Sequence, residues 1–95
     1  MRFEWDPRKA EANLRKHGVS FDEASTVFGD PLAATVPDPD HSAEEARFIT
    51  MGQAASQLLV VVVHVDRDET VRIISVRRPT SGEKKKYGQG EARGR

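Results

Sequence analysis

The stretch that most constrains this chain is Leu58-Leu59-Val60-Val61-Val62-Val63. It is an unbroken apolar run, too short to cross a membrane. Valine branches at Cβ and favours strand over helix. A run apolar at both parities is buried on both faces, which puts it in the middle of a sheet. Asp66-Arg67-Asp68-Glu69 is polar and turn-like, so the chain reverses there. Thr70 to Val76 returns as a second strand, ending in Arg77 and Arg78 before Pro79 stops it. The hairpin's end therefore delivers guanidinium groups from a stiff backbone.

The flanking elements follow from local signals. Arg2 to Trp5 alternates, which predicts a short half-buried strand with Phe3 and Trp5 on one face. Asp6-Pro7 starts a helix, Asp at the N-cap and Pro at N1, running to about His17 with Gly18 just beyond its end. Ala10, Leu14 and His17 share a face by spacing, and Lys9, Asn13 and Lys16 make a neighbouring polar stripe. Ser20-Phe21-Asp22-Glu23 is a capping box for a second helix to about Phe28. Leu32 to Val36 is a candidate short strand. Pro37-Asp38-Pro39-Asp40-His41-Ser42 reads as an exposed loop. Arg47 to Gln53 reads as a strand. Thr80-Ser81-Gly82-Glu83 opens a short helix through about Tyr87, and 88–95 reads as a flexible tail. The order β-α-α-β-β-β-β-α predicts an α+β domain over 1–87. Its sheet is antiparallel, of four or more strands, with both N-terminal helices on one face and a short C-terminal helix.

Ninety-five residues without cysteine make one modest core, with no disulfide and no thiolate metal site. No secretory leader is visible, so the expected location is cytoplasmic. The formal charge is zero but unevenly spread. Residues 20–45 carry seven acidic and no basic side chains, whereas 46–95 carry ten basic and five acidic. A local basic patch of this kind suits a nucleic-acid backbone; a merely solvated surface is the plain alternative.

There is no P-loop, no HExxH and no histidine spacing suited to a metal, so no metal or cofactor is expected. The remaining chemistry is basic and polar groups near strand ends. Cleaving RNA through its own 2′-OH requires a base for that hydroxyl, neutralisation of the phosphoryl oxygens and a proton for the leaving 5′-oxygen. Arginine suits the second task, and histidine, glutamate or tyrosine the others. The catalytic candidates are Arg77, Arg47, His17 and Tyr87. Lys16, Arg72 and Lys84-Lys85-Lys86 are candidates for RNA contact. Each has a plain structural reading. Arg72 and Arg77 fall on opposite faces of a regular strand, His17 suits a helix end, Tyr87 suits packing, and His64 reads as structural.

Phe3-Glu4-Trp5-Asp6-Pro7, Asn13, Lys16-His17-Gly18-Val19-Ser20-Phe21-Asp22-Glu23-Ala24, Val27-Phe28-Gly29-Asp30-Pro31, Asp40-His41-Ser42, Glu45, Arg47, Leu58 to Val62 and Arg72-Ile73-Ile74-Ser75-Val76-Arg77 together resemble the BrnT family of type II toxins. The resemblance spans about residues 2 to 87. It implies a RelE-like fold and a ribonuclease that blocks translation. It also implies a BrnA-type antitoxin that neutralises the toxin and makes the only DNA contact. Val76, Arg78-Pro79 and the early Gly88 and Gly90 depart from the family pattern. The rival reading is a non-catalytic module that docks to a protein or the ribosome. A lone DNA-binding regulator fits poorly, because the second helix is acidic.

Overall fold

The computed structural model describes residues 1–38 and 45–93. Strand β1 (Arg2–Glu4) leads into helix α1 (Pro7–His17), then α2 (Phe21–Ser25), which continues as a 3-10 turn (Thr26–Gly29). Strands β2 (Ala34–Pro37), β3 (Arg47–Gln53), β4 (Leu59–Arg67) and β5 (Thr70–Arg77) follow, and helix α3 (Ser81–Arg93) closes the chain. The five strands lie in the order β1-β5-β4-β3-β2. The valine run therefore occupies the central strand, where both faces are shielded.

The sheet is mixed rather than antiparallel throughout, because β1 runs parallel to β5. The alternation of Arg2 to Trp5 fixes a strand but says nothing of its partner's direction. That is set by the long crossover between the two, which a parallel pair requires.

The helix signals act as read. The Asp6 carboxylate accepts the Arg8 N–H at 2.8 Å, and Gly18 takes the left-handed conformation that ends α1. The Ser20 hydroxyl accepts the Glu23 N–H at 3.0 Å. Which face of α1 turns inward differs from the spacing argument. Leu14 is exposed and Asn13 is buried. The Asn13 amide donates to the Val76 carbonyl at 2.8 Å and the Val19 carbonyl at 3.3 Å, and accepts the Val76 N–H at 3.1 Å. These bonds compensate its desolvation and stitch α1 to β5.

The core joins Val19, Phe21, Ala24 and Val27 to Val60, Val62, Ile73 and Val76, with Phe3, Trp5 and Ala10 packed against it. Gly52 is the close-approach point: a Cβ there would meet the Ala33 Cβ at 2.8 Å and Val27 at 3.0 Å. The same face holds a polar chain. Buried His64 bonds Thr50 through Nε2 at 2.7 Å and Asp66 through Nδ1 at 2.6 Å, and Thr50 bonds Thr35 at 2.7 Å.

Three boundaries move. Pro37 belongs to β2, on the sheet edge where proline is tolerated, and the Asp38 N–H donates to the Arg47 carbonyl. The rest of that proposed loop, Pro39-Asp40-His41-Ser42, lies outside the described residues. The hairpin turn is shorter than read, with Asp66 and Arg67 paired within β4. Helix α3 passes Tyr87 and runs to Arg93, through the stretch read as a tail. Glycine weakens a helix by about 1 kcal/mol but does not forbid it, so Gly88 and Gly90 do not stop α3.

Candidate active site

Pairing places the side chains. Val61 faces Arg77, Val65 faces Arg72, and Arg47 faces Val65 from the other side. Residues opposite one another in a ladder share a face, as do residues two apart. Arg47, Arg72 and Arg77 therefore stand on one face of the sheet, opposite to Val60, Val62 and the core.

Arg72 and Arg77 are five apart in sequence, and in a regular strand they would point oppositely. A β-bulge at Val63/His64 shifts the register: Val63 pairs with Ser75, and His64 with Ile73. Ile74 is the extra residue. It resets the parity of β5, so that Ile73 and Val76 both enter the core while Arg72 and Arg77 both leave it.

Each end of this face has its own charge pattern. Arg72 Nη1 donates to Glu4 Oε2 at 2.7 Å across β1. Arg67 Nε donates to Glu45. That hydrogen bond, followed by the fields of Arg67, Arg72 and Arg47, holds the Glu45 carboxyl below its ordinary value. At the other end Arg77 meets Glu83 from α3, Nη1 to Oε1 at 2.8 Å and Nη2 to Oε2 at 3.0 Å. Glu83 also accepts the Thr80 N–H at 2.8 Å and donates its own N–H to Thr80 Oγ1. The Arg77 hydrogen bonds, aided by Thr80, hold the Glu83 carboxyl at about 2 against the cost of burial. Glu83 and Arg77 thus form a fixed ion pair. Glu83 grips the end of the guanidinium, and Nη1 also donates to the Arg78 carbonyl at 3.3 Å. Among the described residues no hydrogen bond engages Arg77 Nε or the second Nη2 proton.

Tyr87 lies one helical turn beyond Glu83 on the same face of α3. Its hydroxyl donates to Asp30 Oδ2 at 2.8 Å. Burial pushes the Asp30 carboxyl up, but hydrogen bonds from the Gln53 and Leu32 N–H groups and from Tyr87 outweigh it and hold it below its usual value. Lys84, Lys85 and Lys86 are exposed on α3. Lys86 lines an apolar groove, whereas Lys84 turns toward Arg78 and Pro79.

Arg47, Arg72 and Arg77 share the α3 side of the sheet, Arg47 and Arg72 flanking Val65 at one end and Arg77 beside Val61 at the other, where Lys86 and Tyr87 also stand. Lys16 and His17 end α1, which packs on the opposite side through Asn13 and Val76. His64 is buried between Phe28 and Phe48, at centroid distances of 5.0 and 6.1 Å, with both ring nitrogens engaged. Sequence reasoning missed Glu83 as the partner of Arg77. The signal at Thr80-Ser81-Gly82-Glu83 announced only its backbone role. It also missed Glu4 and Glu45 as the partners of Arg72 and Arg67, which lie far along the chain where no local pattern reveals them.

A family model described as "Ribonuclease toxin, BrnT, of type II toxin-antitoxin system" matches residues 5–83. Among solved structures, the ribonuclease toxin BrnT of Brucella abortus is similar in fold. The two chains share 23% sequence identity at a TM-score of 0.66, and the match covers 85% of this chain and 99% of that one. No curated protein sequence matches.

Proposed function

The chain belongs to the BrnT family of ribonuclease toxins of type II toxin–antitoxin systems, and from that membership we propose that it cleaves RNA on the α3 side of its sheet. In this reading it is a RelE-like endoribonuclease that blocks translation and is neutralised by a BrnA-type antitoxin, which alone contacts DNA. The observation that supports the site is that Arg47, Arg72 and Arg77 stand on one face, the bulge letting Arg72 and Arg77 share it.

RNA cleavage by 2′-OH attack passes through a phosphorane-like state whose non-bridging oxygens gain charge. A preorganised guanidinium stabilises that charge more than it stabilises the ground state. Arg77 is suited to this. Its backbone ends the central hairpin, and Glu83 fixes the plane of its guanidinium while leaving the side-on fork for two phosphoryl oxygens. Glu83 is a positioning residue: a carboxyl held at about 2 is too weak a base to take the 2′-OH proton efficiently. Arg72 and Arg47 extend positive charge along the face for the flanking phosphates. The 2′-OH proton passes to solvent, and Tyr87, once its hydroxyl turns from Asp30, gives its proton to the leaving 5′-oxygen. Lys84, Lys85 and Lys86 hold the strand electrostatically. Lys16 and His17, across the sheet, stand outside this site.

The test is cleavage of bulk RNA by purified protein in EDTA. The parent should cleave. Arg77→Ala should lose on the order of 10²-fold in rate at unchanged secondary structure. Arg77→Lys should recover only part of it, because an ammonium lacks the fork. Parent-like cleavage by Arg77→Ala would remove Arg77 from the mechanism. Intact RNA with the parent itself would favour the non-catalytic docking module.

A further inference from the structure

The α3 side of the sheet has a second feature that adjoins the Arg77 ion pair. Between β2 and α3 lies a groove of about 290 Å³, with Ile49, Met51 and Val61 as its floor. Leu32 and Val36 form one wall, and they are 44% and 53% exposed. Lys86 and Tyr87 stand on the other wall, with Glu83, already bound to Arg77, behind them.

We propose that this groove is the seat of the antitoxin. A segment of that protein presses a pair of bulky apolar side chains onto Ile49, Met51 and Val61, and sets a carboxylate against Lys86. The proposal rests on the toxin–antitoxin reading above and locates its interface. Two large exposed apolar residues beside an apolar floor mark a surface that gains by being covered. An RNA strand gains little there, since its phosphates find no partner on Leu32, Val36 or Met51. An apolar segment with acidic neighbours meets both the floor and the lysine rim.

The location also explains inhibition without contact to every arginine. Helix α3 carries both the groove wall at Lys86 and Tyr87 and the Glu83 that orients Arg77. A partner seated in the groove lies along α3 beside the Arg77 fork and obstructs the RNA path.

The experiment titrates the full chain with the purified product of the reading frame adjacent to its gene, by calorimetry at two salt concentrations. Val36→Asp places a charge on an exposed wall and Lys86→Glu reverses the rim. Lys9→Glu, on exposed α1, is the control, and thermal melts confirm that all three fold. Val36→Asp and Lys86→Glu should each raise Kd at least tenfold, Lys86→Glu should also flatten the salt dependence, and Lys9→Glu should do neither. Free Val36→Asp should still cleave RNA, which separates this surface from the catalytic proposal. If the parent binds and both groove variants bind within twofold of it, the interface lies elsewhere and the toxin–antitoxin reading survives. If the parent binds at no salt, both fall. If the isolated chain is a dimer that Val36→Asp dissociates, the groove is a self-interface and the proposal is overturned.

Discussion

Replacing Glu83 by glutamine tests the ion pair on which the site geometry depends. Glutamine keeps the side-chain oxygen that accepts the Thr80 N–H and one bond from Arg77, so the change removes the charge and the second Arg77 bond while leaving the cap. The Glu83 carboxyl sits at about 2 in the folded protein against an ordinary 4.5. Taken at full strength, that difference corresponds to roughly 3 kcal/mol. The two side chains are 37% and 30% exposed, so solvent screens the pair. A bidentate, half-buried pair then contributes about 1–2 kcal/mol. The folded value is depressed, so this contribution is fully present above the unfolded value of 4.5 and is lost as pH falls through about 2. Urea denaturation of the parent and Glu83→Gln at pH 7, 5, 4 and 3 reads it directly. Other carboxylates titrate in both proteins and cancel in the difference. The parent should be more stable by about 1–2 kcal/mol at pH 7, on the order of 5–10 °C in Tm for a domain this size. The gap should narrow steadily below pH 5. A gap that stays constant down to pH 3, or no gap at pH 7, would refute the reasoning. It would also remove Glu83 as the group that holds the Arg77 guanidinium in plane.

Three further outcomes follow from the packing. Gly52→Ala should destabilise by roughly 1–3 kcal/mol in denaturant titration, because its Cβ would overlap Ala33, Val27 and the Asp30 carboxylate. Asn13→Ala should cost roughly 2–4 kcal/mol by the same measurement, since it strands the buried N–H and C=O of Val76 that its amide now satisfies. His17→Ala should leave RNA cleavage within about twofold of the parent at matched folding, as befits a residue across the sheet from the arginines; a loss like that of Arg77→Ala would move the site.

How much of this was legible in the sequence depends on the range of the interaction. Asp6-Pro7, Gly18 and Ser20 through Glu23 encode their roles within one helical turn, and each forms the cap its chemistry implies. The valine run names its own place, since only a central strand hides both faces. Asn13 misleads because its polarity reads as exposure, while its partners are backbone groups far along the chain at Val76. The bulge is silent for a related reason. Arg72-Ile73-Ile74-Ser75-Val76-Arg77 is apolar at both parities near its centre, so alternation alone cannot say which isoleucine is the extra one. Without the bulge the two arginines divide between faces, and the candidate site is invisible as a unit. Glu83 was legible as a cap and illegible as a partner, because reaching Arg77 requires knowing where α3 turns back.

The bulge at Ile74 also shapes how β5 can change over generations. Val61, Val62, Val63, His64 and Val65 already pair with Arg77, Val76, Ser75, Ile73 and Arg72, and only Ile74 has no place in the ladder. Deleting that one codon would close a regular ladder with Arg72 and Arg77 still on one face and Ile73 and Val76 still in the core. A second deletion finds no spare residue, and it would turn Val76 outward and Arg77 into the core. The strand therefore carries one residue of slack: related toxins can differ here by one residue in length and keep the arginines together, but not by two.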